Sequence, residues 1–208
     1  MTRLALVLCA LAAPALAQEE GSAEAPADDA AATEEAVADA SASQGGTGPL
    51  VNADGAPIGN ASVSLTQSGA TLVLVQAEGF PEGVYGVHLH QVGVCEGPTF
   101  ESAGEHVGDG QAHGVLSAEG PHPGDLPNAH VQEDGVLVME AFPVGLTLDG
   151  VFDEDGTALM VHSDPDDYVT QPGGDTGDRI ACAVLEAGGD AGAAREEAEV
   201  TEPVEAQE

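Results

Sequence analysis

The central part of this 208-residue chain is predicted to fold as an all-β domain with two long loops. Short apolar runs that alternate with polar residues, or that are rich in β-branched residues, recur through it and are typical of strands. Asp-Gly dipeptides, which favour tight turns, lie between such runs. No segment shows helical periodicity over a long stretch. The all-β class follows from these three observations.

The chain before and after this domain is predicted to be a secretory signal and two acidic segments. Residues 1–17 combine Arg3, a short apolar run and an Ala-Leu-Ala cleavage site, which predicts export to the periplasm or out of the cell. That run is too short to span a bilayer. Residues 18–47 and 188–208 are rich in alanine and acidic residues, and we expect them to be disordered because they have little apolar surface to bury. The domain itself is assigned to residues 48–187.

Five strands are predicted within the domain. They lie at residues 61–65, 71–75, 84–90, 135–141 and 159–162. The turn dipeptides are Asp54-Gly55, Asp134-Gly135 and Asp155-Gly156. Two stretches, about 91–130 and 163–179, are rich in glycine, proline and aspartate, and loops of such length in a compact domain are usually functional or disordered. Because the first stretch contains most of the histidines, we expect it to be functional.

The cysteine content predicts one disulfide in the exported protein. Cys9 lies in the predicted signal and would be removed with it, and a lipid anchor at Cys9 is the weaker alternative. Cys95 and Cys182 remain, and a pair of cysteines in an oxidising compartment favours a disulfide over two free thiols. Closing so long a loop stabilises the fold by about 4 kcal/mol in the chain-entropy model.

The chain is strongly acidic, with 37 Asp and Glu residues against 3 Lys and Arg residues and a formal net charge of −34. Removal of the signal, which contains Arg3 and no acidic residue, makes the charge more negative still. Such a chain is expected to repel nucleic acid and anionic membrane surfaces, so neither is a predicted partner. No later stretch is apolar enough for stable membrane insertion. The acidic coat is expected to serve mainly solubility.

Histidines cluster in one part of the sequence and predict a site for two metal ions. Five of the seven histidines fall between His88 and Asp125. His88 and His90 are two residues apart in a predicted strand, so both imidazoles point to one face, although an exposed polar face is the alternative. The following loop contributes ligand types that suit a tetrahedral zinc ion. These are His106, His113, His122 and Asp125.

His162 ends a separate predicted strand, where a lone histidine is more often structural than a ligand. With His162 the set has seven groups, whereas two four-coordinate ions need eight ligand positions. The numbers agree if one histidine bridges the two ions through both ring nitrogens, but the count does not choose which histidine. His130 matches no ligand position and is expected to be an ordinary surface residue.

Six short motifs occur in a fixed order across residues 48–187. They are GVHLH at 86–90, SAGEH at 102–106, AHG at 112–114, PHPGDLPN at 121–128, VHSDPDDY at 161–168 and GDRIACAV at 177–184. Together they resemble the copper/zinc superoxide dismutases in their bacterial exported form. The resemblance implies a Greek-key β-sandwich or flattened β-barrel that converts superoxide, its small-molecule substrate, to oxygen and hydrogen peroxide. It allows either a monomer or a homodimer.

The same resemblance implies copper and zinc as cofactors and a role for each candidate residue. Copper would be bound by His88, His90, His106 and His162, and zinc by His106, His113, His122 and Asp125. The implied catalytic residues are Arg179, which would line the copper channel, and His106, which would bridge the ions and carry a proton. Asp166 would orient ligands of both ions. Cys95 and Cys182 would form the family disulfide, between the metal loop and the last strand.

Two departures from the family pattern affect these expectations. After His106 the family usually has an aromatic residue and an Asn-Pro turn, whereas this chain has Val107-Gly108-Asp109-Gly110 and one residue fewer before His113. An altered zinc loop is therefore predicted. Arg179 is the only basic residue of the domain, and residues 163–178 contain five aspartates, so the anionic substrate must approach a negative surface. The alternative to an enzyme is a non-enzymatic exported domain that binds copper and zinc on the same fold.

Overall fold

The computed structural model describes residues 44–108 and 110–188. The predicted signal peptide, at residues 1–17, lies outside this part of the chain. So do nearly all of the two segments that are predicted to be disordered, at residues 18–47 and 188–208. Within the two described ranges, no helix has the length and apolar character that crossing a membrane requires.

Strands make up nearly all of the regular secondary structure in the described part, which confirms the predicted all-β class. The strands are β1 (Gly45–Asn52), β2 (Pro57–Leu65), β3 (Thr71–Glu78), β4 (Gly83–Tyr85), β5 (Val87–His90), β6 (Ala129–Val131), β7 (Val136–Ala141), β8 (Thr157–His162) and β9 (Arg179–Ala187). Helical structure in this part consists of one 3-10 turn at Glu101–Ala103 and one α-helical turn, α1, at Leu148–Val151. The predicted long loops lie between β5 and β6 and between β8 and β9.

The strands form a curled antiparallel sheet with Greek-key connections. Seven strands pair in the order β5-β8-β9-β1-β2-β3-β7, and β4 pairs with β6 in a second, two-stranded sheet. Neighbours that are distant in sequence, such as β1 with β9 and β3 with β7, require the long connections of a Greek key. Buried apolar residues from all nine strands pack into one core, so the two sheets enclose it together. The predicted Greek-key sandwich or flattened barrel is confirmed.

The first strand begins before the predicted domain boundary at residue 48. Residues 45–47 belong to the segment that was predicted to be disordered, and for them this prediction is wrong, because they form the start of β1 between β2 and β9. A Cβ atom on Gly45 would lie 2.2 Å from the Val63 carbonyl oxygen, and one on Gly48 would lie 1.8 Å from that of Val184. The glycines are therefore required by close backbone contact with both neighbouring strands.

One predicted strand is two strands in the structure. Residues 84–90 divide at Gly86 into β4 and β5, which belong to different sheets. The N–H of Gly86 donates to the Asp164 carbonyl, and the Gly86 carbonyl accepts from the N–H of His162, both at 2.9 Å. Gly86 thus leaves the pairing of β4 and marks the corner that turns the chain into β5, the strand that carries His88 and His90.

The disulfide predicted from the cysteine content is formed between Cys95, in the loop after β5, and Cys182 on β9, with the Cα atoms 5.8 Å apart. Around Cys182, Phe100 and Ala103 of the same loop pack against Ala158 and Met160 of β8 in a small buried cluster. The loop between β5 and β6 is therefore fastened to the barrel both covalently and by apolar contact.

Removal of the disulfide is expected to reduce the free energy of unfolding by about 4 kcal/mol, since it closes a loop of 87 residues. The double variant Cys95→Ala/Cys182→Ala should be compared with the unchanged protein by urea unfolding, each with and without a reductant. The reductant should destabilise the unchanged protein and leave the double variant unaffected. Equal stability of all four samples would contradict the expectation.

Candidate metal centre

Four histidines meet at one end of the barrel. His88 and His90 lie on β5, and the antiparallel pairing of β5 with β8 brings His162, at the end of β8, beside them. An isolated bridge between His90 and His106 brings in the loop histidine. Ligand atoms of His88, His90, His106 and His162 all lie within 4.8 Å of one another. Nitrogens bound to one ion at about 2.0–2.1 Å lie within about 4 Å of each other, so this cluster is close to the size that a single ion requires.

Three of these histidines each have one ring nitrogen bonded to the protein and the other buried without a partner. His88 Nε2 lies 2.9 Å from Asp166 Oδ2, His90 Nδ1 lies 2.9 Å from the Gly104 carbonyl, and His162 Nδ1 lies 3.1 Å from Thr176 Oγ1. Their other nitrogens make up three of the four buried side-chain N and O atoms that lack a hydrogen bond in the described residues. Because buried polar atoms are normally paired, the three atoms fit a bound metal ion.

Burial keeps these three histidines neutral. Loss of solvation lowers the pKa of His88 to about 4, against the opposing hydrogen bond to Asp166. Burial and the neighbouring imidazole of His106 lower the pKa of His90 to about 3. Burial and the imidazoles of His88 and His90 lower the pKa of His162 to about 2. The neutral imidazole is the form that binds a metal ion, so these three histidines need no deprotonation at neutral pH.

A second cluster converges on one oxygen of Asp125. The Nδ1 atoms of His106, His113 and His122 lie 2.9, 3.1 and 3.2 Å from Asp125 Oδ1. The other carboxylate oxygen accepts the backbone N–H groups of Gly114 and His122, at 2.8 and 3.0 Å, which fixes the orientation of the carboxylate. Three imidazoles and one carboxylate are the ligand set of a tetrahedral zinc site.

His106 belongs to both clusters, and His88 lies close to both. His88 also lies within ligand distance of His106, His113 and Asp125. Its Nε2 is occupied by Asp166, however, and its unpaired Nδ1 matches the unpaired nitrogens of His90 and His162. We therefore assign His88 to the first cluster.

The second cluster holds a proton that a metal ion must displace. Burial alone would lower the pKa of His113, but hydrogen bonds to Asp125 and Asp166 raise this pKa to about 9. Burial alone would raise the pKa of Asp125, but hydrogen bonds from His106 and His113 hold it well below the usual range. Binding of a cation at these groups is therefore coupled to proton release.

Asp166 joins the two clusters. One of its oxygens accepts from His88 Nε2 and the other from His113 Nε2, both at 2.9 Å, and its side chain is fully buried. The amide of Asn128 holds the Asp166 backbone, accepting its N–H at 2.7 Å and donating to its carbonyl at 2.9 Å. Gly174 passes so close that a Cβ atom there would lie 1.9 Å from Asp166 Oδ1, and its φ of +75° also favours glycine.

Arg179 is half-buried at the start of β9 and is held by the loop after β5. Its Nη1 and Nη2 atoms donate to the carbonyls of Phe100 and Gly104, both at 2.8 Å. The Gly104 carbonyl also accepts from His90, so this arginine and a histidine of the first cluster share an anchor. Together with Glu101 and Asp178, Arg179 lines a surface opening. A guanidinium has five N–H donors, and two bonds to carbonyls leave others for an anion.

One family accounts for this fold and these clusters. The sequence model described as copper/zinc superoxide dismutase (SODC) matches residues 59–185, more than half of the chain. The chain belongs to the copper/zinc superoxide dismutase family. This confirms the predicted family and enzyme class, and it implies copper and zinc as the metals that the two clusters could hold.

Relatives in this family match most of the folded part of the chain. The Cu-Zn superoxide dismutase 2 of Aquifex aeolicus is 41% identical over 142 residues, which is 65% of this chain and 83% of that protein. The Cu-Zn superoxide dismutase of Caulobacter vibrioides is 38% identical over 109 residues, covering 49% and 63% of the two chains. The structure of a double mutant of a SOD-like protein from Bacillus subtilis matches with a TM-score of 0.65 and 34% identity, over 69% of this chain and all of the other. The bacterial relatives and the disulfide are consistent with an exported protein.

The structure brings together all the residues that were predicted as metal ligands, and their roles as ligands stay predictions. The exposed His130, on β6, belongs to neither cluster, as expected. In the loop after His106, Gly108 lies against His122, where a Cβ atom on Gly108 would lie 2.6 Å from Cδ2 of the ring. Asp109 of this loop lies outside the described residues.

Sequence reasoning missed several groups that hold the histidines in place through the ring nitrogens that face away from the first cluster. Asn128 is part of the motif at 121–128, but nothing in the sequence indicates that it is hydrogen-bonded to the backbone of Asp166. The Gly104 carbonyl is a backbone atom, which no residue pattern reveals. Thr176 lies in a glycine-rich loop, and no sequence pattern there indicates its contact with His162.

Proposed function

We propose that this protein converts superoxide to oxygen and hydrogen peroxide with copper at the first cluster and zinc at the second. Copper would be held by His88, His90, His106 and His162, and zinc by His106, His113, His122 and Asp125. The proposal rests above all on the three buried imidazole nitrogens that lack a partner and lie beside His106. Copper in imidazole ligands supplies the one-electron chemistry that superoxide disproportionation needs.

The protein's part at the first cluster is to hold neutral imidazoles in fixed orientations. Asp166 orients His88, the Gly104 carbonyl orients His90, and Thr176 contacts His162. Each contact occupies one ring nitrogen of the histidine and leaves the lone pair of the other nitrogen free to bind the metal. Zinc contributes no redox chemistry, so its role at the second cluster would be structural: its ligands would hold the loop after β5 together.

His106 is the residue proposed to carry a proton to the product. Its Nδ1 faces Asp125 in the second cluster, and Gly173 lies beside its Nε2, where a Cβ atom would be 3.4 Å away. Its side chain is 8% exposed, so the ring is shielded from water without being sealed in. Peroxide formation consumes protons, and the imidazole of His106 could hold one at Nε2 and donate it to the product when that nitrogen is not bound to copper.

Arg179 is the residue proposed to attract superoxide. Its guanidinium is planar, permanently charged and fixed by two carbonyls, so its remaining donors can bind a small anion without a large loss of side-chain entropy. Its shared anchor with His90 puts this anion site next to the first cluster.

A metal count together with a superoxide assay tests the function. The purified full chain is loaded with copper and zinc, its metal content is measured by mass spectrometry, and turnover is measured on the same sample. We expect one copper and one zinc per chain together with turnover. Full copper occupancy without turnover would instead favour the alternative, a non-enzymatic exported domain that binds copper and zinc. That alternative is kept because one structural relative is named only as SOD-like.

We also propose that the protein is exported to the periplasm or out of the cell, as residues 1–17 predict and the disulfide supports. Sequencing the N-terminus of the exported protein should give Gln18 as its first residue. The family resemblance allows either a monomer or a homodimer, and analytical ultracentrifugation of the metal-loaded chain would distinguish them.

Turnover is expected to rise, or to stay flat, as salt is added from low ionic strength. Four of the five aspartates between residues 163 and 178 are exposed: Asp164, Asp167, Asp175 and Asp178. These charges repel superoxide, and the screening length falls from about 30 Å at 0.01 M salt to about 8 Å at 0.15 M. Stopped-flow assays across this range measure the effect.

A pair of variants tests the source of that salt effect. Asp178→Asn removes a negative charge from the opening beside Arg179 and should raise the rate at low salt. Asp134→Asn removes an exposed charge that does not line this opening and serves as the matched control. A clear fall in rate with added salt in the unchanged protein would contradict the expectation.

A further inference from the structure

Thr176 lies behind His162, in the loop that leads to β9, and is 5% exposed. Its Oγ1 lies 3.1 Å from His162 Nδ1 and 3.0 Å from the Gly173 carbonyl oxygen. We propose that Thr176 is a positioning residue that holds His162 in the tautomer with its proton on Nδ1 and so keeps Nε2 free to bind copper. The proposal rests on the proposed function, in which His162 is a copper ligand.

The hydrogen-bond network leaves one consistent placement of the protons. A hydroxyl has a single hydrogen, and the Gly173 carbonyl can only accept. When Thr176 donates to this carbonyl, its oxygen presents a lone pair to His162, so Nδ1 must carry the proton that is shared between them. The opposite tautomer would put a proton on Nε2, which is buried without any acceptor among the described residues.

Thr176 is itself held in place by backbone contacts that also reach His162. Its carbonyl accepts the N–H of Asp164 at 2.9 Å, and the Asp164 carbonyl accepts the N–H of Gly86. Gly86 in turn accepts the N–H of His162, and a Cβ atom on Gly86 would lie 2.7 Å from Cγ2 of Thr176. The backbone of Thr176 is therefore connected to that of His162 through Asp164 and Gly86, and the Cγ2 atom of Thr176 lies against Gly86.

With the contact between Thr176 and His162, each of the three buried histidines of the first cluster has one ring nitrogen hydrogen-bonded to the protein. His88 and His90 have their second nitrogen on a carboxylate and a backbone carbonyl, both of which can only accept. Thr176 differs because a hydroxyl can donate or accept, and its bond to Gly173 decides between the two. Gly173 also lies against His106, so one turn of the loop touches two histidines of the cluster.

A set of threonine variants separates positioning from simple packing. Thr176→Val keeps the shape and removes the hydroxyl, whereas Thr176→Ser keeps the hydroxyl. The control is Thr71→Val, because Thr71 is also 5% exposed and its hydroxyl donates to the Leu146 carbonyl at 2.8 Å. The full chain, loaded with zinc and before copper is added, is studied by nitrogen-15 NMR, which reports the tautomer of each histidine. Copper affinity is then measured by chelator competition, and the Cu(II) electron paramagnetic resonance spectrum is recorded.

We expect a proton on Nδ1 of His162 in the unchanged protein and in Thr176→Ser, with equal copper affinity. Thr176→Val should lose this tautomer preference, bind copper about 10- to 100-fold more weakly and change the Cu(II) spectrum. Thr71→Val should lose stability without either change. A proton on Nε2 in the unchanged protein would overturn the proposal even if Thr176→Val does not fold. Unchanged copper affinity and tautomer in a folded Thr176→Val would overturn it as well, whereas an unchanged protein that takes up no copper would refute the proposed function instead.

Discussion

Replacement of His162 by alanine is expected to abolish superoxide turnover while the β-fold stays intact. His162 ends β8, where its unpaired Nε2 lies buried beside His88, His90 and His106. Loss of a group that is hydrogen-bonded to a metal ligand typically costs about 10- to 100-fold in metal affinity or activity. Loss of the ligand itself should cost more. The core on the other side of β8, around Leu159 and Val161, is unaffected by the change.

His130→Ala is the matched control for this variant, because His130 is an exposed histidine outside both clusters. Turnover and copper content should be measured for both variants, with circular dichroism and thermal unfolding to show that the fold is retained. His162→Ala should retain its zinc content and lose copper, and His130→Ala should match the unchanged protein. Retained turnover in folded His162→Ala would remove His162 from the copper site.

Asp166→Asn is expected to weaken copper binding more than zinc binding. In the native protein one oxygen of Asp166 accepts from His113 and from the Tyr168 N–H, and the other accepts from His88. An asparagine side chain has only one acceptor oxygen. That oxygen keeps the larger number of hydrogen bonds if it takes the place of Asp166 Oδ1, which accepts from both His113 and Tyr168. Its NH₂ group then faces His88 and donates to Nε2, which moves the proton of His88 to Nδ1, the atom that faces the first cluster.

The expected loss is about 10- to 100-fold in copper affinity, with a smaller change for zinc. Competition with chelators of known affinity measures both. Asp167→Asn is the matched control, because Asp167 is the neighbouring carboxylate but is exposed and caps the N–H groups of Val169 and Thr170. An equal loss of both metals would mean that Asp166 acts through general packing of the site, and no loss would refute its orienting role.

The strands were predictable where the sequence shows a local pattern. The runs in β2, β3, β7 and β8 alternate or are β-branched, because one or both faces of each strand are buried. The start of β1 was not predicted, because residues 45–47 were assigned to the disordered segment for want of apolar residues. Only the contact with β2 and β9 explains their glycines. The break of the predicted strand at Gly86 was likewise invisible, since it depends on backbone bonds to Asp164 and His162.

The sequence by itself determined which side chains this protein has available for metals and that His88 and His90 share one strand face. It did so because ligand chemistry belongs to the residue type and the two-residue period belongs to the strand. Only the tertiary structure decided which nitrogen of each histidine is free. That choice depends on Asp166, 78 residues from His88, on the Gly104 carbonyl, 14 residues from His90, and on Thr176, 14 residues from His162. A hydrogen bond needs its two groups within about 3 Å, and that distance exists only after the loops have folded onto the barrel.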